Sequence, residues 1–148
     1  MPSLVTRLID LKASDVMTRN PVTLNGRESI ASAVASLERH QITGAPVVED
    51  GNRLIGVLSL WDIVRTRQAA GDPEEPKQTV SDSATVMDCM SPTVSGASPG
   101  QLLVEVARQM CVAHWHRVPV VSSDGQLVGI ISTMDVLAAL VNMFDELG

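Results

Sequence analysis

The sequence predicts an α+β fold built from two copies of one small unit, each read as β-α-β-β-α. Three observations carry that expectation. The first is an internal repeat. Pro46-Val47-Val48 and Pro119-Val120-Val121 lie 73 positions apart, and the same shift places Leu54 on Leu127, Gly56 on Gly129, Ser59 on Ser132 and Asp62 on Asp135. Apolar positions follow as well: Ile30 with Leu103, Val34 with Ala107, Leu37 with Met110, Val57 with Ile130 and Leu58 with Ile131, with no gap between residues 25 and 64. The second is a change of period within each copy, from helical spacing to short β-branched runs. The third is the stretch AAGDPEEPKQTVSDS at residues 69–83, whose prolines, acids and small polar residues read as a solvated linker.

The elements follow in order. Leu4, Leu8 and Leu11, with Val5 and Ile9, suggest a short amphipathic helix at the N-terminus. A short strand is expected near Pro21–Leu24, and its counterpart near Pro92–Val94. Asn25 to Glu28 and Ser98 to Gln101 resemble capping boxes that open helices, with Pro99 at a first helical position. Ile30, Val34 and Leu37, or Leu103, Ala107 and Met110, then line one helical face. Strands are expected at 45–48 and 118–121, turns at EDGN and SSDG, and second strands at 54–58 and 127–131. Ser59 and Ser132 open the closing helices. The implied organisation is a helical lead (1–14), repeat 1 (15–68), a linker (69–85) and repeat 2 (86–148). One unit of about 60 residues is marginal for a stable core. Two units pairing their sheets about a pseudo-two-fold axis, with a cleft between the copies, would solve that.

Composition narrows the function classes. The chain has 148 residues, 45% of them hydrophobic, so a packed core is expected. The formal net charge of −6 disfavours nucleic acid and anionic membrane as partners, while leaving room for a small anion in a local basic pocket. No apolar run reaches the ~18–20 residues of a membrane-crossing helix. Arg7, Asp10 and Lys12 interrupt the N-terminal apolar residues, so no signal-peptide core is read. Two cysteines without CxxC spacing, Cys89 and Cys111, suggest reduced thiols, and the expected location is cytoplasmic.

The residues Asp15-Val16-Met17 with Pro21-Val22, Asp88-Cys89-Met90 with Pro92, the two Pro-Val-Val strands, and GVLSLWDI and GIISTMDV together resemble a tandem CBS-domain pair, also called a Bateman module. The resemblance covers about residues 13–146. It implies a sensor without catalysis that binds an adenosyl ligand (AMP, ADP or ATP, with S-adenosylmethionine or a dinucleotide as alternatives) between the repeats. It also implies a disc-like homodimer that regulates a protein partner of unknown identity. No cofactor is required under this reading; the nucleotide is an effector. A different reading of the same residues is a ligand-independent interaction or scaffolding module, in which the Ser-x-x-Asp segments serve only as helix caps. An enzyme is disfavoured because no nucleophile–base pair, Gly-rich phosphate loop or metal triad stands out.

In that family the Ser/Thr-x-x-Asp segment holds the ribose, which points to Ser132 and Asp135 and to Ser59 and Asp62. An aspartate at a helix mouth can accept both hydroxyls of a vicinal diol. Such charged hydrogen bonds are worth roughly 1.5–3 kcal/mol each. The glycine ahead of each, Gly56 or Gly129, permits close approach of a ligand or another backbone. HRVPVV resembles the family stretch that holds nucleotide phosphates, so His114, His116 and Arg117 are the phosphate candidates. If His116 faces a phosphate, binding strengthens below the imidazole's usual value of about 6.5. The first copy has Gln41, Thr43 and Gly44 at those positions, so the two clefts are expected to differ, the first borrowing Arg65 or Arg67, taking a less charged ligand, or staying empty. The resemblance places adenine against Pro21, Val22, Thr23, Thr93, Val94, Ala45, Val118 and Pro119. Cys111, His114 and His116 lack an obvious fourth ligand, so no metal is expected. Met87, Met90, Met110 and Met134 read as core filler, and Trp115 as a packing residue. Val136, Leu137, Leu140, Val141 and Phe144 offer more apolar surface than one helix on a small sheet should need, which suggests that part of it is a dimer interface, the alternative being simple packing on the module.

Overall fold

The computed structural model describes residues 3–69, 84–93 and 95–146. The chain runs α1 (Leu4–Asp10), α2 (Ala13–Val16), β1 (Thr18–Arg19), β2 (Leu24–Asn25), α3 (Ile30–Arg39), β3 (Gly44–Glu49), β4 (Arg53–Ser59), α4 (Leu60–Ala69), α5 (Val86–Cys89), β5 (Ser91–Pro92), α6 (Leu103–Ala113), β6 (Arg117–Val121), β7 (Leu127–Ser132) and α7 (Thr133–Asp145). It is an α+β protein with two sheets, ordered β2-β3-β4-β5 and β1-β7-β6. The expected linker from residue 70 to 83 lies outside the described residues.

The chain divides into two compact units, Val22–Val94 and Met1–Pro21 with Ser95–Gly148. These cuts differ from the repeat boundaries. The Asp-x-Met segment of each copy belongs to the unit built on the other copy. In the first unit, β3 and β4 form an antiparallel hairpin, β2 adds parallel to β3, and β5 adds antiparallel to β4. In the second, β6 and β7 form the hairpin and β1 adds to β7. The counterpart of β2 there shrinks to one parallel bridge between Ala97 and Val120.

Each unit has its own core. Leu24, Ile30, Leu37, Val47, Leu58 and Ile63 close the first, together with Val86 and Cys89 of α5. Leu103, Val106, Met110, Val118, Val120 and Ile131 close the second, together with Ala13 of α2. The four-residue helices are fixed at their starts as well as by burial. Asp15 accepts from the Lys12 amide at 2.8 Å, and Asp88 from the Thr85 amide at 2.9 Å. The Thr85 amide and then its hydroxyl hold the Asp88 carboxyl below the ordinary carboxylate value. That contribution is present at neutral pH and is lost as pH falls through the lowered value.

The hairpin strands and the closing helices form where the sequence places them, and α1 forms over the expected apolar run. Half-buried Leu4 and Leu8 turn inward, Val5 and Ile9 stay exposed, and Arg7 pairs with Glu146. Four expectations need correction. The boxes at 25–28 and 98–101 form as turns, with Glu28 on the Asn25 amide and Gln101 on the Ser98 amide, but they open no helix. Helices α3 and α6 begin at Ile30 and Leu103, whose amides donate to the carbonyls of Ala84 and Leu11 from the incoming segments. Pro99 therefore sits in a turn. The short strands also move. Leu24 in β2 and Pro92 in β5 keep one end of each expected run, while Pro21–Thr23 and Thr93 lie outside strands, and β1 and β5 start right after Met17 and Met90. Met87, Met134 and Trp115 are exposed instead of filling a core. Met87 caps Gly26 from outside, Met134 occupies the outward face of α7, and Trp115 follows the left-handed cap His114.

Two glycines make the exchange of segments possible. A Cβ on Gly129 would lie 2.6 Å from the Met17 sulfur and 3.0 Å from the Thr18 carbonyl oxygen; on Gly56 it would lie 2.6 Å from the Met90 sulfur and 2.8 Å from the Ser91 carbonyl oxygen. A methyl group there must push a backbone strand away. Gly56→Ala and Gly129→Ala should each cost about 1–3 kcal/mol in urea unfolding. Gly100→Ala, which meets nothing within 4 Å, should stay within about 0.5 kcal/mol.

Candidate functional site

The closing helix of each unit begins in the same way. Ser132 accepts from the Asp135 amide at 3.1 Å, and Asp135 Oδ2 accepts from the Ser132 amide at 2.8 Å. Ser59 and Asp62 repeat the pattern at 3.1 and 2.9 Å. Each pair is a reciprocal cap that satisfies two orphan helix donors and sets the carboxylate at the positive end of the helix. The cap uses Oδ2, which leaves Oδ1 of each aspartate for partners beyond the cap.

The crossing strands bring a hydroxyl to each Oδ1. The Thr18 hydroxyl donates to Asp135 Oδ1 at 3.2 Å, with Oδ2 at 3.4 Å, and the Ser91 hydroxyl donates to Asp62 Oδ1 at 3.3 Å. Thr18 and Ser91 are themselves related by the 73-residue shift. Sequence reasoning missed both. Their signal was a hydroxyl at equivalent positions after each Asp-x-Met, but the partner belongs to the other copy. The aspartates differ in one further respect. Asp62, only 9% exposed, also accepts from Arg65 Nη2 at 2.9 Å. In the second copy the Arg65 position is Ala138.

The basic candidates lie beside the second cap. Arg117 pairs with Ser132 in the β6–β7 register, and the His116 carbonyl accepts from the Thr133 amide at 3.0 Å. The first copy has the same backbone with Gly44 opposite Ser59 and the Thr43 carbonyl on the Leu60 amide. His114 is exposed at the left-handed cap of α6 (φ 56°), as Gln41 is after α3 (φ 55°). The Arg67 side chain lies outside what is described, as does Val94.

The adenine candidates divide between the units. Pro21, Val118 and Pro119 belong to the unit of Asp135; Val22, Thr23, Ala45 and Thr93 belong to that of Asp62. Pro21, Val22 and Thr93 are half-buried and Thr23 is exposed. Ala45 and Val118 are core residues, and the Pro119 carbonyl is bonded to the Ala97 amide. A base reaching these three would therefore meet backbone. Among the described residues, no group of three His, Cys, Asp or Glu stands close enough to hold a metal ion. Among them, too, no helix is long and apolar enough to cross a membrane.

A two-copy protein with an acid-capped helix mouth in each copy is the class defined here. The CBS domain model matches residues 13–68 and 86–142, and the chain belongs to that family as a tandem pair. It is 32% identical over 126 residues to the uncharacterized protein MJ1225 of Methanocaldococcus jannaschii, covering 85% of this chain and 41% of that one. The chain thus spans under half the length of that relative. Among solved structures it is similar to CBSX2 in complex with AMP, at 25% identity and TM-score 0.73, covering 89% of this chain and 97% of that one. It shares its fold with the CBS domain pair of MJ0100 in complex with 5′-methylthioadenosine and S-adenosyl-L-methionine, at 24% identity and TM-score 0.72, with the same coverage.

The burial difference between the aspartates predicts unequal costs of removal. Asp135→Ala should lose about 1 kcal/mol, the value of a cap. Asp62→Ala should lose more, about 1–2 kcal/mol in the same denaturant titration, because it empties a buried position and removes the Arg65 and Ser91 bonds together with the cap.

Proposed function

We propose that this chain is a regulatory module that binds an adenine nucleotide (AMP, ADP or ATP) and catalyses nothing itself. The observation that carries the reading is the juxtaposition at Asp135. Its half-buried carboxylate sits at a helix mouth, with Oδ1 accepting from the Thr18 hydroxyl, and Arg117 stands next to its cap serine in the sheet register. A ribose diol fits the carboxylate, and a phosphate fits Arg117 with His116 and His114. Pro21–Thr23, Thr93, Val94 and the backbone of Ala45, Val118 and Pro119 are the proposed surroundings of the base. The AMP complex of CBSX2 supports the ligand class. Under this reading the module is cytoplasmic and passes the ligand state to a protein partner.

A homodimer belongs to the same proposal. Val136 and Met143 turn inward on α7, while Leu137 (54% exposed), Leu140, Val141 and Phe144 (57%) form an uncovered apolar stripe. A stripe of this kind is costly to leave in water. Leu137→Ser/Phe144→Ser should convert the protein from dimer to monomer in sedimentation velocity; a wild-type monomer would overturn the dimer.

Thermal melting tests the ligand. AMP, ADP or ATP at ~100 times its dissociation constant should add ~2.7 kcal/mol, or roughly 5–10 °C. Asp135→Ala should abolish most of that shift. A shift with S-adenosylmethionine alone would replace the nucleotide by another adenosyl compound. No shift with any of them would leave a ligand-independent interaction module.

A further inference from the structure

The two aspartates share a skeleton but not a charge pattern. Each commits Oδ2 to a serine amide, so Oδ1 is what a ligand can use. On Asp135 that oxygen accepts from Thr18 at 3.2 Å; on Asp62 it accepts from both Arg65 at 2.9 Å and Ser91 at 3.3 Å. A carboxylate oxygen has about two lone-pair sites. Oδ1 of Asp62 is therefore filled from within the protein. The guanidinium also sits 6.0 Å from the centroid of the Trp61 ring, at the edge of the cation–π range.

We propose that Arg65 is a charge gate on the first-copy site, making that site selective for anionic adenosyl ligands. The inference rests on the reading that these aspartates receive a ribose diol. A diol that takes Asp62 Oδ1 competes with the guanidinium, its charged donor at 2.9 Å, as well as with the Ser91 hydroxyl at 3.3 Å. A neutral nucleoside gives Arg65 nothing in return. A nucleotide offers the displaced guanidinium a phosphate, to which the planar fork can bind in a bidentate manner. The side chain is 59% exposed, so it is free to swing while its aspartate stays buried. The second copy needs no gate. Ala138 cannot reach Asp135, and the cation opposite its cap serine in the sheet is Arg117 of β6. The same charge thus enters the two sites from opposite ends of the hairpin–helix unit. In the first copy it is tied to Asp62 itself.

Calorimetry with adenosine and AMP on four full-length variants tests this. Asp135→Ala isolates the first-copy site, and Asp62→Ala isolates the second. On the Asp135→Ala background, AMP should bind about 10-fold or more tighter than adenosine. Adding Arg65→Ala should raise adenosine affinity about 5-fold and narrow the preference for AMP. On the Asp62→Ala background, Ala138→Arg should weaken adenosine by a similar factor. If the first-copy site binds neither ligand until Arg65 is removed, Arg65 blocks the site without selecting anions, and the charge gate fails. If Arg65→Ala leaves adenosine affinity unchanged while the second-copy site binds AMP, the gate fails and the ribose reading survives. If no protein, wild type included, binds either ligand, the ribose reading fails and the gate with it.

Discussion

Two backbone crossings without side chains hold this architecture together. Gly129 lets β1 run against β7, and Gly56 lets β5 run against β4, each at a distance where a Cβ would overlap a carbonyl oxygen and a methionine sulfur. Everything around the aspartates depends on that approach. It seals Met17 and Met90 over the strands, seats Ala13 in one core and Val86 in the other, and aims the next hydroxyl at a carboxylate. A short Asp-x-Met helix of four residues could not stand alone in water. It is held by burial in a core to which its own repeat does not contribute.

That exchange gives the repeat a purpose beyond doubling the core. Each unit draws its sheet, two helices and acid cap from one copy and its crossing strand from the other. The isolated bridges repeat the pattern, Lys12 with Leu102 and Thr85 with Ser29. Neither copy can complete its own site. On this skeleton the surface charges have diverged. The second copy carries Arg117 at the start of β6, and the first carries Arg65 on α4 against Asp62. Matching helix caps with differently placed charges are what two ligand sites with different selectivity would need.

The outward face of α7 stands apart from this logic. Its inner residues, Val136, Ala139 and Met143, suffice to pack the helix on its sheet. Leu137, Leu140, Val141 and Phe144 leave much of their apolar surface in water, and a sequence that keeps them exposed pays a solubility cost. Helix α4 shows the same habit at Leu60, Trp61 and Val64.

Much of this could be read from the chain itself. The 73-residue shift, the Pro-Val-Val strands, the Asp- and Gly-rich turns and the Ser-x-x-Asp caps are local signals, set by side-chain period and by hydrogen bonds within four residues, so the hairpins, the closing helices and the acid caps were legible. What the sequence could not show was partnership over distance. The boxes at 25–28 and 98–101 had the right residues for helix starts, yet α3 begins after the Ser29 cap and α6 after Leu102, where carbonyls 54 and 92 positions away accept from their first amides. Thr18 and Ser91 carried no signal for their aspartates, because a hydroxyl finds an acid 117 or 29 residues away only once a sheet has formed. Periodicity and capping act along the chain and leave their mark in it. Which copy completes which site is decided by strand crossings, and those exist only after the backbone has folded around two glycines.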